Sequence, residues 1–193
     1  MSPISHHLTV IVFAVLALLA KNVCAGVTIN YEGRAKDDAA VEQTIAILRA
    51  EAKRNGWTVR DASAADVTIK RVVSEKDVAY RGPIRGVVLL LHPKCEPFFV
   101  QFDSSHFMQD FVKTQFAGAE VHIKLVEVLR VIRPLLSEFK VNDEGEYWET
   151  GDRKKLQGHF QKIDQLIAEM KRDKPQLKGP VTLPSGRIVD LMN

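Results

Sequence analysis

From Gly26 onward apolar and polar positions recur with regular periods, and those periods change along the chain. In "GVTINYEG" Val27, Ile29 and Tyr31 alternate with polar neighbours, the period of a half-buried strand. The spacing then lengthens: Val41, Ile45, Leu48 and Ala52 form one stripe of a helix. Asp37 or Asp38 is positioned to cap it, it runs to about Asn55, and Gly56 stops it. "WTVRDA" returns to strand character, so the chain opens as a β-α-β unit.

Four short strand signals follow. "DVTIKRVV" alternates Val67 and Ile69 with polar residues, and "DVAYRG" ends at a Gly82-Pro83 turn. "RGVVLLLHP" is continuously apolar, as expected of a central strand covered on both faces. "EPFFVQFD" puts Phe98, Val100 and Phe102 on one face, and His92-Pro93-Lys94-Cys95 joins it to the preceding strand as a hairpin, with parallel pairing as the alternative.

Phe107, Met108, Phe111, Val112 and Phe116 stand at helical spacing after Ser104-Ser105, and Gly118 interrupts them. The next helix is expected from Ala119 to about Phe139, with Pro134 bending its last turn. It is apolar over so much of its surface that it reads as the central packing helix, with His122 on its polar arc beside Arg133. Asp152 caps a last long helix carrying Leu156, Phe160, Ile163, Ile167 and Met170 in register, and Pro175 marks its exit. "PVTLPSGRIVDLM" reads as a small hairpin about Pro184-Ser185-Gly186. The expected fold is therefore α+β: one domain over 26–193, a mostly antiparallel sheet opened by the β-α-β unit, and three to four packed helices.

Residues 1–25 carry a different signal. "LTVIVFAVLALLA", Leu8 to Ala20, is followed by Lys21, Asn22 and Val23-Cys24-Ala25, the layout of a secretory leader cleaved before Gly26. The run is too short for a membrane span of about 20 apolar residues. Because "MSPISHH" lacks Lys and Arg, an uncleaved anchor is the alternative. The expectation is a periplasmic or secreted protein with no stable membrane span once the leader is gone. Losing Lys21 leaves 26 basic against 24 acidic groups, a net charge of +2. That balance gives no basis for binding nucleic acid. Cys95 is then the one remaining cysteine, so no internal disulfide forms, which suits a periplasm.

The densest chemistry lies in "VNDEGEYWETGD", where Asp143, Glu144, Glu146, Glu149 and Asp152 surround Tyr147 and Trp148. A calcium loop with Gly145 sixth would put Lys140 first and Gly151 last, which fails. If extended, the stretch puts Glu144 and Glu146 on one face ~7 Å apart at Cα, a spacing open to glycosidase chemistry. Read plainly, it is a turn leading into the Asp152 cap, with Tyr147 and Trp148 anchored on the core rim. Glu144, Glu146, Tyr147, Trp148 and Glu149 are accordingly the candidate binding residues, as aromatics ringed by charge suit an interface.

Elsewhere the signals are weaker. His92, His106, His122 and His159 show no metal-ligand spacing, and no metal or cofactor is expected. Cys95 in "HPKCEP" has Lys94 beside it, a cation able to lower a thiol pKa, or it is an incidental loop thiol. "GPIRG" with Arg81 and Arg85 is a turn able to take an anion. No nucleophile elbow, phosphate loop or dinucleotide fingerprint occurs, and no catalytic residue is assigned. The sequence points to a non-enzymatic domain binding a protein partner in the cell envelope, for example an inhibitor or immunity protein against an envelope-acting toxin. The alternative is a hydrolase of envelope sugar or peptide using the 143–152 carboxylates.

Overall fold

A computed structural model of the protein describes residues 26–73 and 76–192. The expected leader at 1–25 lies outside the described residues. The elements are β1 (Thr28–Ala35), α1 (Asp38–Asn55), β2 (Thr58–Asp61), β3 (Ala64–Val73), β4 (Lys76–Leu90), β5 (Phe98–Phe102) and β6 (Phe107–Lys113). They continue with α2 (Ala119–Ile132), a single 3-10 turn, β7 (Leu136–Asp143), α3 (Tyr147–Thr150), α4 (Arg153–Asp173), β8 (Val181–Thr182) and β9 (Ile188–Val189). The fold is α+β, and every strand pairing among the described residues is antiparallel.

Two sheets share one core. The first has the order β6-β1-β7. In the second, the far half of β4 lies between β2 and β5, while its near half pairs with β3 alone. The opening β-α-β order is present, with β1 and β2 in different sheets. Ile29 and Tyr31 of β1, Val87 and Leu89 of β4, and Phe98, Val100 and Phe102 of β5 all point inward and are buried. The Tyr31 and Phe98 rings meet edge to face at 5.1 Å, a favoured aromatic arrangement.

α1 forms where the stripe required it. The Asp37 side chain accepts from the Ala40 N–H at 2.7 Å and Gly56 ends the helix in the left-handed conformation. Its buried face is Val41, Leu48 and Ala52. α2 is the central packing helix, burying Leu125, Val126, Val128, Leu129 and Ile132. α4 is held at its start by Asp152, which accepts from the N–H groups of Lys154 and Lys155, and packs Leu156 and Ile163 against Val27 and Ile123.

Four expectations are corrected. The helix expected from Ser104 is strand β6. Asp103 Oδ1 accepts from the Ser105 and Phe107 N–H groups, making a tight turn at 103–106 that sends the chain back. Beyond it the alternation of Met108 and Val112 inward with Phe107, Gln109 and Phe111 outward prevails over the helical spacing. α2 stops at Ile132, seven residues before Phe139. Pro134 lacks the N–H that a further α turn needs, so one 3-10 turn (Arg133–Leu135) delivers the chain into β7. The Gly82-Pro83 turn is an irregularity inside a continuous β4. Finally, His122 is fully buried rather than solvated.

The ribbon of β3 with the near half of β4 folds back over the outer face of the first sheet. Arg71 pairs with Asp103 and donates to the Phe107 carbonyl at 3.1 Å. The Gln109 amide accepts from Val72 N–H at 2.8 Å and donates to Val72 C=O at 2.7 Å, as a neighbouring strand would. The ribbon thus stands above the sheet and leaves a cleft beneath it.

Candidate functional site

The acidic stretch is organised from beneath by Asp143. Its buried carboxylate accepts from Gly145 N–H at 2.7 Å and Trp148 N–H at 2.8 Å, and lies 3.1 Å from His122 Nε2. His122 Nδ1 is 2.8 Å from Thr114 Oγ1, which also bonds the Val27 carbonyl at 3.1 Å. Burial pushes the Asp143 carboxyl upward, but the His122 hydrogen bond and charge and the two N–H donors outweigh it and hold it below its usual value. Hydroxyl, imidazole and carboxylate follow one another as in a nucleophilic triad. All three side chains are sealed from solvent and the hydroxyl is engaged by Val27, so the cluster is a polar staple between β7, α2 and the start of β1.

Each predicted binding residue now has a place. Glu144 Oε2 accepts from Thr28 N–H at 3.0 Å. Glu146 pairs with Lys155 at 2.8 Å and His159 at 2.9 Å, and the Lys155 hydrogen bond, then that of His159, lower its pKa. Tyr147 and Trp148 lie on the rim of the core, with the Arg130 guanidinium 5.9 Å and 5.6 Å from their ring centres. Trp148 also meets Phe139 edge to face at 6.0 Å, and Arg130 donates to its carbonyl at 2.9 Å. Glu149 is exposed. The segment is a turn and a short helix rather than an extended strand, so Glu144 and Glu146 do not share a strand face.

Other candidates resolve in the same way. Burial, then the charge of Glu96, pushes the Cys95 thiol up to about 12, opposite to the expected influence of Lys94. Arg85 pairs with Asp38 and Glu42, and Arg81 with Asp66 at 3.4 Å, so the "GPIRG" arginines already have carboxylate partners. Among the described residues no three His, Cys, Asp or Glu side chains gather as metal ligands.

The feature that the sequence reading missed is the cleft under the ribbon, a cavity of about 520 Å³. Its floor is Asn30 and Glu32 of β1, Gln109 and Phe111 of β6 and Lys140 and Asn142 of β7, and its roof is Ile69 to Val72 with Asp77. The volume lies within the range of ligand-binding clefts. Large apolar side chains stay wet here: Val72 is 55% exposed and Phe111 39%. Phe111 is held rigid by the Arg187 guanidinium, 3.9 Å from its ring centre.

Arg187 is fixed in turn from the C-terminal hairpin. It donates to the Phe111 carbonyl at 2.7 Å and pairs with Asp110 and with buried Glu96 at 3.2 Å. Glu96 also accepts from the N–H groups of Lys113 at 3.0 Å and Ile188 at 2.8 Å, which plugs the gap where β5 and β6 diverge. Burial opposes the Arg187 charge, but Asp110 and then Glu96 prevail and its pKa is raised. Across the floor Glu32 accepts from Lys140 at 2.9 Å and from Gln109 at 2.7 Å. Burial favours protonation of Glu32, but these two donors win and its pKa is lowered. The cleft presents both signs of charge about an apolar centre. No short motif could have revealed it, because its residues come from six segments; the sole local hint was Phe111 beside Asp110.

Among the described residues, one buried polar group near the acidic turn has no partner. Gln115 is 3% exposed, and neither its side-chain oxygen nor its nitrogen makes a hydrogen bond. Leaving a buried amide unpaired costs about 1–3 kcal/mol. It lies beside Gly26, where an added Cβ would fall 2.9 Å from Gln115 Oε1 and 3.7 Å from Glu144 Oε2.

No family model, curated protein or solved structure matches this chain. No helix among the described residues is long and apolar enough to cross a membrane.

Proposed function

We propose that the protein is an exported, non-enzymatic binding domain that takes a segment of a protein partner in the cell envelope into the cleft beneath the β3–β4 ribbon. The observation that carries this is the exposed, Arg187-stacked Phe111 facing Val72 across a cleft rimmed by both signs of charge. A rigid aromatic at the centre with charges around it is the composition of an interface hot spot. Export rests on the leader-like pattern of residues 1–25. An inhibitor or immunity protein that occupies an envelope-acting toxin is the form of this reading that fits a small domain lacking catalytic motifs.

Tyr147 and Trp148 contribute less to capture than their sequence context implied, because their rings are engaged by Arg130 and Phe139. The free edge of the first sheet is also a poor docking strand. Exposed Glu138 and Lys140 defend β7, and Glu138 adopts a positive φ of 54° that breaks its regularity.

The test is affinity capture from envelope extract by the leader-less chain, with partners identified by mass spectrometry. A partner retained by wild type and lost from a Val72→Asp, Phe111→Asp double variant of unchanged melting temperature supports the reading. Turnover of cell-wall sugar or peptide that disappears in Glu146→Gln supports the hydrolase instead and defeats it.

A further inference from the structure

We infer that the partner segment enters the cleft as an extended apolar-acidic-apolar strand, pairing antiparallel with the free edge of β3 and setting its carboxylate against Lys70. This rests on the binding reading above and deepens it, naming the conformation and chemistry of the segment.

The backbone of β3 supplies the first argument. Along an antiparallel pair, residues that bond across it alternate with residues whose N–H and C=O point away. The Val72 N–H and C=O turn away from β4 and are taken by the Gln109 amide. By the same alternation the N–H and C=O of Lys70 and Thr68 face that outer edge, and among the described residues they have no hydrogen-bond partner there. β3 pairs with β4 alone, so no other strand among the described residues covers the edge. Lys70 and Val72 both line the cavity, which places the unfilled rung beside it. Domains take up extended peptides at such edges by adding a strand. Gln109 also fixes the register. Its amide fills the Val72 rung, so the added strand begins beside Arg71 and runs toward Thr68.

Side chains supply the second argument. Four cations line the cavity, and three have carboxylates: Arg71 with Asp103, Lys140 with Glu32 and Arg187 with Asp110. Lys70 is the fourth and has none among the described residues. A carboxylate opposite it on the added strand completes the set, since facing opposite charges stabilise a strand pair. Arg71 is buried against the body of the protein, so its side of β3 is the inner one, and Ile69 shares it. The neighbours of the paired carboxylate therefore project inward, into a cavity lined by Ile69 and the exposed ring of Phe111. Apolar side chains suit those two positions.

The probe is the tetrapeptide acetyl-Val-Glu-Val-Thr-amide, titrated at millimolar concentration into the isotope-labelled, leader-less chain and followed by NMR. In the free protein the Lys70 amide hydrogen should exchange faster than that of Val72. Saturating peptide should slow exchange at Lys70 by about tenfold or more. The glutamate exchanges both backbone bonds with Lys70, so methylating its nitrogen should weaken binding by about tenfold or more. The nitrogen of the following valine points away from β3, and methylating it should change binding by less than about threefold. Replacing the peptide's glutamate by lysine should weaken binding to wild type, and Lys70→Glu, a change at an exposed position, should restore it. A Lys70 amide already protected in the free protein overturns the inference. So does absence of binding, binding that leaves that amide unprotected, or equal sensitivity to the two methyl groups. A captured envelope partner that depends on Phe111 yet leaves the Lys70 amide unprotected overturns the strand pairing alone. Failure to capture any partner defeats the binding reading, and the peptide titration then still decides whether the edge takes a strand.

Discussion

At the scale of single residues, the most consequential side chain is Asp143. It holds two backbone donors and His122 in a site closed to solvent. Asp143→Asn should cost about 3–5 kcal/mol in a urea titration, because removing one member of a buried ionic cluster strands the rest. Asp143 has a lower pKa folded than unfolded. Its contribution is therefore complete above the unfolded value of about 3.9 and is lost as pH falls through the lower folded value. Wild type should lose stability steeply in that acid range, and the Asn variant should show a shallower slope; equal slopes would contradict the assignment. Cys95 gives a second residue-scale expectation. With its thiol pushed up to about 12, it should resist a disulfide reagent at pH 8 in the native protein and react promptly once unfolded. Rapid native labelling would show that the site is open.

At the scale of elements, backbone clearance separates glycines that the fold requires from those it tolerates. A Cβ on Gly86 would fall 1.9 Å from the Val100 carbonyl oxygen of the paired strand. Gly86→Ala should destabilise by about 1–3 kcal/mol or more, as other overpacked sites do. Gly158 sits in α4 with open space around it. Gly158→Ala should stabilise by about 0.5–1 kcal/mol through helix propensity. Thermal melts of the two variants should therefore move in opposite directions.

The same scale shows why some elements were legible and others were not. β1, α1, β5 and α4 combine an unambiguous period with a local stop or cap, Asp37 and Gly56 for α1 and Asp152 for α4. β6 was read as a helix because Phe107, Met108, Phe111 and Val112 fit a stripe when both faces of a strand carry apolar groups. One face meets the core and the other meets the ribbon, a tertiary contact with no local signature. The end of α2 went astray because Leu135 and Leu136 extend its apolar pattern past Pro134. His122 was misplaced for a different reason: its partners Thr114 and Asp143 are 8 and 21 residues away. The acidic stretch was read correctly as a turn and helix start, but the buried staple that fixes it could not be seen.

At the scale of the whole molecule, the two sheets and the returning ribbon leave a cleft whose residues converge from β1, β3, β4, β6, β7 and the C-terminal hairpin. Arg187 links the hairpin to the cleft wall by stacking on Phe111 and pairing with Asp110 and Glu96. The small C-terminal hairpin thereby rigidifies the proposed binding face. The acidic turn follows β7 directly, one residue beyond the cleft residue Asn142, and braces the helices. The most direct measurement is the equilibrium affinity of the captured envelope partner for wild type, for Phe111→Asp and for the exposed control Glu149→Ala. Loss of a hot spot of about 2 kcal/mol should weaken binding by Phe111→Asp roughly thirtyfold, at an unchanged unfolding midpoint, and leave Glu149→Ala near wild type. Equal affinity of Phe111→Asp and wild type, or a larger loss in Glu149→Ala, would contradict the cleft as the binding site.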